Sequence, residues 1–124
     1  MTTLEYMIGA RRYLHRHPEL SLEEHETSAW LRKQLEELGY KPVSIADTGV
    51  YADYMVSPEK PWLLFRADID ALPVTEETGL PFASENEGKM HACGHDGHTA
   101  MLLGAARAFQ LGELTSRYNL RFAF

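Results

Sequence analysis

The sequence predicts an α/β fold, and three observations carry that expectation. A helical apolar stripe between helix-start and helix-stop signals occupies residues 21–39, and short runs rich in β-branched and aromatic residues follow at 43–45 and 50–56. The third is Trp62-Leu63-Leu64-Phe65, four apolar residues without interruption. A short continuous run of this kind suits a strand buried on both faces of a sheet sandwiched between helices, which places it centrally.

The elements follow in order. Leu4, Met7, Ile8 and Leu14 mark one face of a helix from Thr2 to about Arg16. His17-Pro18 stops it, because proline disfavours helical geometry in the residue before it. Next, Ser21-Leu22-Glu23-Glu24 fits a capping box. Trp30, Leu31, Leu35 and Leu38 supply the stripe of that helix, and Gly39 stands where a C-terminal glycine cap belongs. Asp47-Thr48-Gly49 reads as the turn of a hairpin that Ser57-Pro58 closes. Asp68 and Asp70 then follow the apolar strand, and the carboxyl ends of strands are where open α/β sheets place their ligand sites. Residues 73–89 are loop-like. Asp96 is expected to cap a helix from about Gly97 to Leu111 with Met101, Leu102, Ala105 and Phe109 inward, and Leu120 to Phe124 reads as a further strand.

Composition narrows the function classes. A chain of 124 residues that is 44% hydrophobic is long enough for one compact domain with a real core. The formal charge of -6 arises from 18 acidic residues against 12 Lys and Arg. Because the two signs are scattered, nothing points to nucleic acid as a partner. The N-terminus has no basic region followed by an apolar core, and no stretch approaches the roughly 18 apolar residues of a membrane span. A soluble, cytoplasmic protein without a membrane partner is expected. The one cysteine excludes an internal disulfide and leaves a buried thiol, a nucleophile or a metal ligand.

The chemistry concentrates in Met90-His91-Ala92-Cys93-Gly94-His95-Asp96-Gly97-His98. In an extended segment residues two apart point the same way, so Cys93 and His95 can present sulfur and nitrogen to one point, with Gly94 and Gly97 relieving crowding. A thiolate with an imidazole favours Zn²⁺ or a neighbouring late first-row ion over Mg²⁺ or Ca²⁺. Asp96, Asp68 and Asp70 are placed to complete such a site or to orient a ligand histidine through its other ring nitrogen. Two alternatives stay open at this point. Cys93 could be a small core residue beside surface histidines, or half of a Cys-His nucleophile pair. His15 and His17 fall at a predicted helix end, where histidines commonly meet the terminal carbonyls.

Four segments, in this order, resemble the M20 metallopeptidases and within them the amidohydrolase subgroup of N-acyl-amino-acid amidohydrolases, hippurate hydrolases and N-acetyldiaminopimelate deacetylases. They are Leu14-His15-Arg16-His17-Pro18-Glu19-Leu20-Ser21, Arg66-Ala67-Asp68-Ile69-Asp70-Ala71-Leu72-Pro73, the segment Met90–His98, and Leu120-Arg121-Phe122-Ala123-Phe124. The resemblance implies that residues 1–124 are the N-terminal part of a three-layer α/β metallopeptidase catalytic domain with a mixed, largely parallel sheet. The rest of that domain, and a lid or dimerisation domain, would be absent from the chain.

It further implies two divalent metals per full-length site (Zn, Mn, Co or Ni), with Cys93 and His95 as ligands. Asp70 would be the catalytic-site aspartate that supports the ligands from behind. Asp68 stands where other branches carry a histidine ligand, and His98 is left without a role. The implied reaction is metal-dependent hydrolysis of a small N-acyl amino acid to a carboxylate and an amino acid, in an enzyme that could form homo-oligomers. In the family a glutamate pair, base and ligand, directly follows the strand resembling Leu120–Phe124, and further histidine ligands come later. The 124 residues contain none of these, so the chain alone is expected to be inactive. The competing expectation is a non-catalytic product or pseudo-enzyme that serves as an association module.

Overall fold

The computed structural model describes residues 1–124. Its elements are α1 (Thr3–Arg16), α2 (His25–Glu37), β1 (Val43–Ile45), β2 (Gly49–Tyr54), β3 (Trp62–Arg66), α3 (His95–Gln110) and β4 (Asn119–Ala123). The fold is α/β with one mixed sheet of order β1-β2-β4-β3. β1 with β2 and β2 with β4 are antiparallel, while β3 runs parallel to β4 with Phe65 opposite Phe122. Strand β3, helix α3 and strand β4 thus form a βαβ unit, the arrangement that parallel neighbours require. No helix is long and apolar enough to cross a membrane.

Local chemistry sets the ends of the elements. Thr2 caps α1 through a reciprocal pair with Glu5, in which the Glu5 N–H donates to Thr2 Oγ1 at 3.1 Å and the Thr2 N–H to Glu5 Oε2 at 2.8 Å. The C-terminal cap of α2 is the expected one. Gly39 sits at φ 93°, its N–H reaches the Glu36 carbonyl, and the Tyr40 N–H reaches back to Leu35. The N-terminal cap is not. Helix α2 begins at His25 without any side-chain cap from its own N-cap residue, and Ser21 takes no part. The Glu19 carboxylate accepts from the N–H groups of Glu26 at 3.1 Å and Thr27 at 2.5 Å. A residue before the first turn therefore does the work assigned to the capping box, with its charge at the positive end of the helix.

One core gathers all three helices over one face of the sheet. It contains Ala10 of α1, Leu31 and Leu35 of α2, Leu103 and Ala106 of α3, Val50 and Ala52 of β2, and Leu120 and Phe122 of β4. The inward faces differ from the expected ones on two helices. On α1 the buried residues are Ala10, Leu14 and His15, whereas Leu4 and Ile8 are exposed. On α3 the inward stripe is Ala100, Leu103, Gly104 and Ala106, and Met101 is 54% exposed. Small residues face inward because α1 and α3 pack closely, and the bulky residues flank that contact. The strand expected at the centre is likewise displaced: β3 lies at the sheet edge, and all five of its residues are exposed.

The close approach of α1 and α3 is testable. A Cβ at Gly104 would overlap the Met7 side chain. Overpacking of this kind costs about 1–3 kcal/mol, against a helix-propensity gain of about 1 kcal/mol for Gly→Ala. Gly104→Ala is expected to lower the urea midpoint in the native background. With Met7→Ala also present it should raise it, and a midpoint that rises in both backgrounds would show that the helices are not in contact there.

Candidate metal-ligand site

The candidate site lies beyond the carboxyl end of β3, where the chain leaves the sheet through Ala67, Asp68, Ile69 and Asp70. The Ala67 N–H still pairs with the Ala123 carbonyl at 3.0 Å. Ala71 is then tied to Glu19 and Leu20 by a short parallel bridge. These two anchors hold Asp68 and Asp70 in place. A cavity of about 410 Å³ opens here, lined by Asp68, Asp70, His95, Arg66, Glu24 and Phe124 among others. Its far wall is the turn between β1 and β2, where Ala46 and Asp47 both take positive φ. The buried Glu24 carboxylate secures that turn by accepting from Thr48 Oγ1 at 2.9 Å.

His95 is the first residue of α3 and faces this cavity. Its Nδ1 donates to Asp70, with 2.8 Å to the carboxylate and 3.1 Å to the backbone carbonyl. That hydrogen bond places the proton on Nδ1 and leaves Nε2 as the free lone pair, 4.0 Å from the Asp68 carboxylate. An imidazole oriented by a carboxylate in this way is the usual form of a metal-ligating histidine. Asp68 is also paired with Arg66.

Cys93 is exposed, which removes the reading of it as a core residue. The segment between the two candidate ligands is not extended. It bends at Gly94, whose φ of 92° places it in the left-handed region, and a Cβ there would meet nothing within 4 Å. The glycine is needed for its backbone conformation, and crowding has no part in it. Neither His95 nor His98 hydrogen-bonds the thiol, so no Cys-His nucleophile pair is assembled. His98 is exposed on the next turn of α3, its ring centroid 6.1 Å from that of His95. No three or more His, Cys, Asp or Glu side chains converge on one point. The donors present fit a soft or borderline divalent ion as a partial set: one thiol and one imidazole whose free nitrogen a carboxylate has selected.

Asp96 does not cap the helix. N-cap Gly94 precedes it and α3 starts at His95, so Asp96 falls in the first turn, 2% exposed and directed at α1. Its carboxylate accepts from Arg11 Nε at 3.0 Å and from His15 Nδ1 at 2.8 Å. The second ring nitrogen of His15 meets Glu76 at 3.0 Å, and the side chains of His15 and Glu76 are 2% and 3% exposed. Burial pushes the Glu76 carboxyl up, but hydrogen bonds from Thr78, Ser84 and His15 outweigh it and hold it below its ordinary value. The helix-end expectation holds for His17, whose Nδ1 lies 2.7 Å from the Tyr13 carbonyl. It fails for His15. The sequence signal here is only that His15 is a polar residue beside Leu14 on the buried stripe of α1, which marks its burial and not its partners.

His91 stands at the same junction, 5% exposed with neither ring nitrogen paired. Burial pushes its imidazole down to about 4, while Asp96 and Asp70 pull upward and His15 and His95 push further down. Unfolded, the ring takes its proton near 6.5. Protons therefore favour the unfolded chain below that value, and stability falls as the pH drops from about 6.5 to about 4. Urea titrations in the presence of chelator should show native protein losing on the order of 2 kcal/mol more between pH 7 and pH 5 than His91→Gln. Equal losses would mean that the ring is solvated.

Comparison with known proteins bears on the family and the fold. The model of peptidase family M20/M25/M40 matches residues 64–124. N-acetyl-L-cysteine deacetylase of Bacillus subtilis is 50% identical over 127 aligned residues, which cover 100% of this chain and 30% of the relative. N-acyl-L-amino acid amidohydrolase of Geobacillus stearothermophilus is 44% identical over 119, covering 95% and 32%. A dinuclear metal-binding M20 peptidase from Bacillus subtilis superposes with a TM-score of 0.91 at 43% identity, over 98% of this chain and 35% of that structure. The chain therefore spans about a third of the length of the relatives it matches. By motif order, fold and these likenesses together, the chain is similar to peptidase family M20, whose matched relatives include amidohydrolases and deacetylases.

Proposed function

We propose that residues 1–124 form the N-terminal part of the catalytic domain of an M20 amidohydrolase and supply one side of a two-metal site through Cys93 and His95. The observation that carries this reading is the 2.8 Å hydrogen bond from His95 to Asp70 at the mouth of the cavity beyond β3. It leaves Nε2 of His95, 4.0 Å from the Asp68 carboxylate, as the ring's one free lone pair. When bound, divalent ions lower the pKa of water and polarise the scissile carbonyl. The chain's own part is to hold donors. Asp70 fixes the His95 ring, and Cys93 stands two residues before it, across the αL turn at Gly94. The cavity beyond Asp68 is open to a small substrate.

Small N-acyl amino acids are the substrate class in this reading, and the deacetylase and amidohydrolase names of the relatives support it. Zn, Mn, Co or Ni all suit a thiolate–imidazole pair. The family pattern places the general base and the remaining ligands after the strand corresponding to β4. Residues 1–124 by themselves are therefore expected to show little or no turnover.

Purified protein is to be assayed on N-acetyl and N-benzoyl amino acids, with chelator and after re-addition of Zn²⁺, Mn²⁺ or Co²⁺. Polypeptide that extends past residue 124 with the glutamate pair should hydrolyse them, lose activity on chelation and regain it on re-addition. Hydrolysis insensitive to chelators but abolished by alkylation of Cys93 would overturn the metal reading in favour of thiol chemistry.

A further inference from the structure

We propose that His15 is a positioning residue for the metal-ligand turn, fixing Asp96 and, through it, the first turn of α3 that presents His95. This rests on the reading of Cys93 and His95 as ligands.

His95 is oriented from one side by Asp70. The next residue along the helix, Asp96, is held from the other side by α1, through His15 Nδ1 at 2.8 Å and Arg11 Nε at 3.0 Å. His15 is itself fixed at its far nitrogen by Glu76, which takes the Ser84 N–H at 2.8 Å and the Thr78 hydroxyl. A line of side chains thus runs from the loop at residues 76–84 through α1 to the residue beside a proposed ligand. Its central members are almost completely buried, with His15 and Asp96 each 2% exposed.

A purely structural role explains this line poorly. Burying ionic groups is costly, and apolar residues of similar volume often serve stability as well or better. The core that α1 and α3 share already has Ala10, Ala100 and Leu103 to hold it. What hydrogen bonds add is direction, and here direction is imposed one residue from His95. Partners behind metal ligands typically account for about 10–100-fold in metal affinity.

The two nitrogens of His15 allow a discriminating test, because an asparagine amide reproduces the position of Nδ1 and a glutamine amide that of Nε2. His15→Asn, His15→Gln and His15→Leu are to be compared with native protein in Zn²⁺ affinity, by competition with a chromophoric chelator. The Co²⁺ form is to be compared in the near-ultraviolet thiolate-to-cobalt band that Cys93 would contribute. Urea midpoints identify any effect of stability.

His15→Asn, which keeps the bond to Asp96, should hold affinity within about threefold and preserve the band. His15→Gln and His15→Leu should lose about 10–100-fold and weaken or shift it. If His15→Leu does not fold, the contrast between asparagine and glutamine at matched stability decides. Native affinity and spectrum in the glutamine or leucine variant would overturn the assignment of His15. Native protein with no band that Cys93→Ser removes would overturn the metal reading, and with it this proposal.

Discussion

Replacing Asp70 with alanine should lower the affinity for Zn²⁺ by about 10–100-fold without unfolding the protein. The expectation follows from where the proton sits on His95. With Asp70 in place, Nδ1 is a donor at 2.8 Å and Nε2 is left to bind. Without the carboxylate, the backbone carbonyl of residue 70 remains at 3.1 Å, so the tautomer is still favoured but the ring is less firmly held. Asp70→Asn is the instructive intermediate, since its amide oxygen can accept the same bond while the negative charge is lost. It should fall between native protein and Asp70→Ala. Calorimetric titration of the apo proteins gives all three affinities. Equal affinity in Asp70→Ala would mean that His95 is not a ligand or that its orientation is set elsewhere.

The largest effect on stability is expected at Phe122. This ring is fully buried on central strand β4, with Tyr40, Phe65 and Phe109 around it at centroid distances of 6.0, 6.2 and 6.2 Å. It joins the sheet to α3 and to the end of α2. Phe122→Ala should cost about 3–5 kcal/mol, the sum of lost burial and an uncollapsed cavity. Domain stabilities are about 5–15 kcal/mol, so this variant should be close to unfolding at room temperature. Met101→Ala, by contrast, should change stability by no more than about 0.5 kcal/mol, because Met101 is 54% exposed. A loss at Met101 comparable to that at Phe122 would show that α3 packs through the face its hydrophobicity suggests.

That contrast bears on how far the amino-acid sequence foretells the molecule. Elements set by near neighbours were readable: the proline stop after α1, the Gly39 cap, the hairpin at 43–54, and a strand followed by Asp68 and Asp70. Facing was not, because a hydrophobic stripe records which residues are large, whereas the close contact between α1 and α3 selects small ones such as Ala10, Ala100 and Gly104. The position of β3 was hidden for a related reason. A continuous apolar run does not say which strands pair with it, and within residues 1–124, about a third of the relatives' length, β3 pairs with β4 alone.

The site shows the same division. Ligand chemistry pointed to Cys93 and His95 with Asp68, Asp70 and Asp96 nearby, and the family resemblance singled out Asp70; the structure joins His95 to Asp70 and leaves Cys93 exposed at the same turn. Asp96 was assigned to a helix cap because aspartate before an apolar helix ordinarily caps it. Its true partners, Arg11 and His15, lie 85 and 81 residues away in the chain. No local pattern can report a partner at that distance.

The central claim is that Cys93 and His95 hold a divalent metal ion, and calorimetric titration of apo protein with Zn²⁺ tests it most directly. Native protein should bind, and the double variant Cys93→Ser, His95→Ala should lose that uptake while keeping its urea midpoint. Identical uptake by the two proteins would contradict the claim and remove both residues from the site.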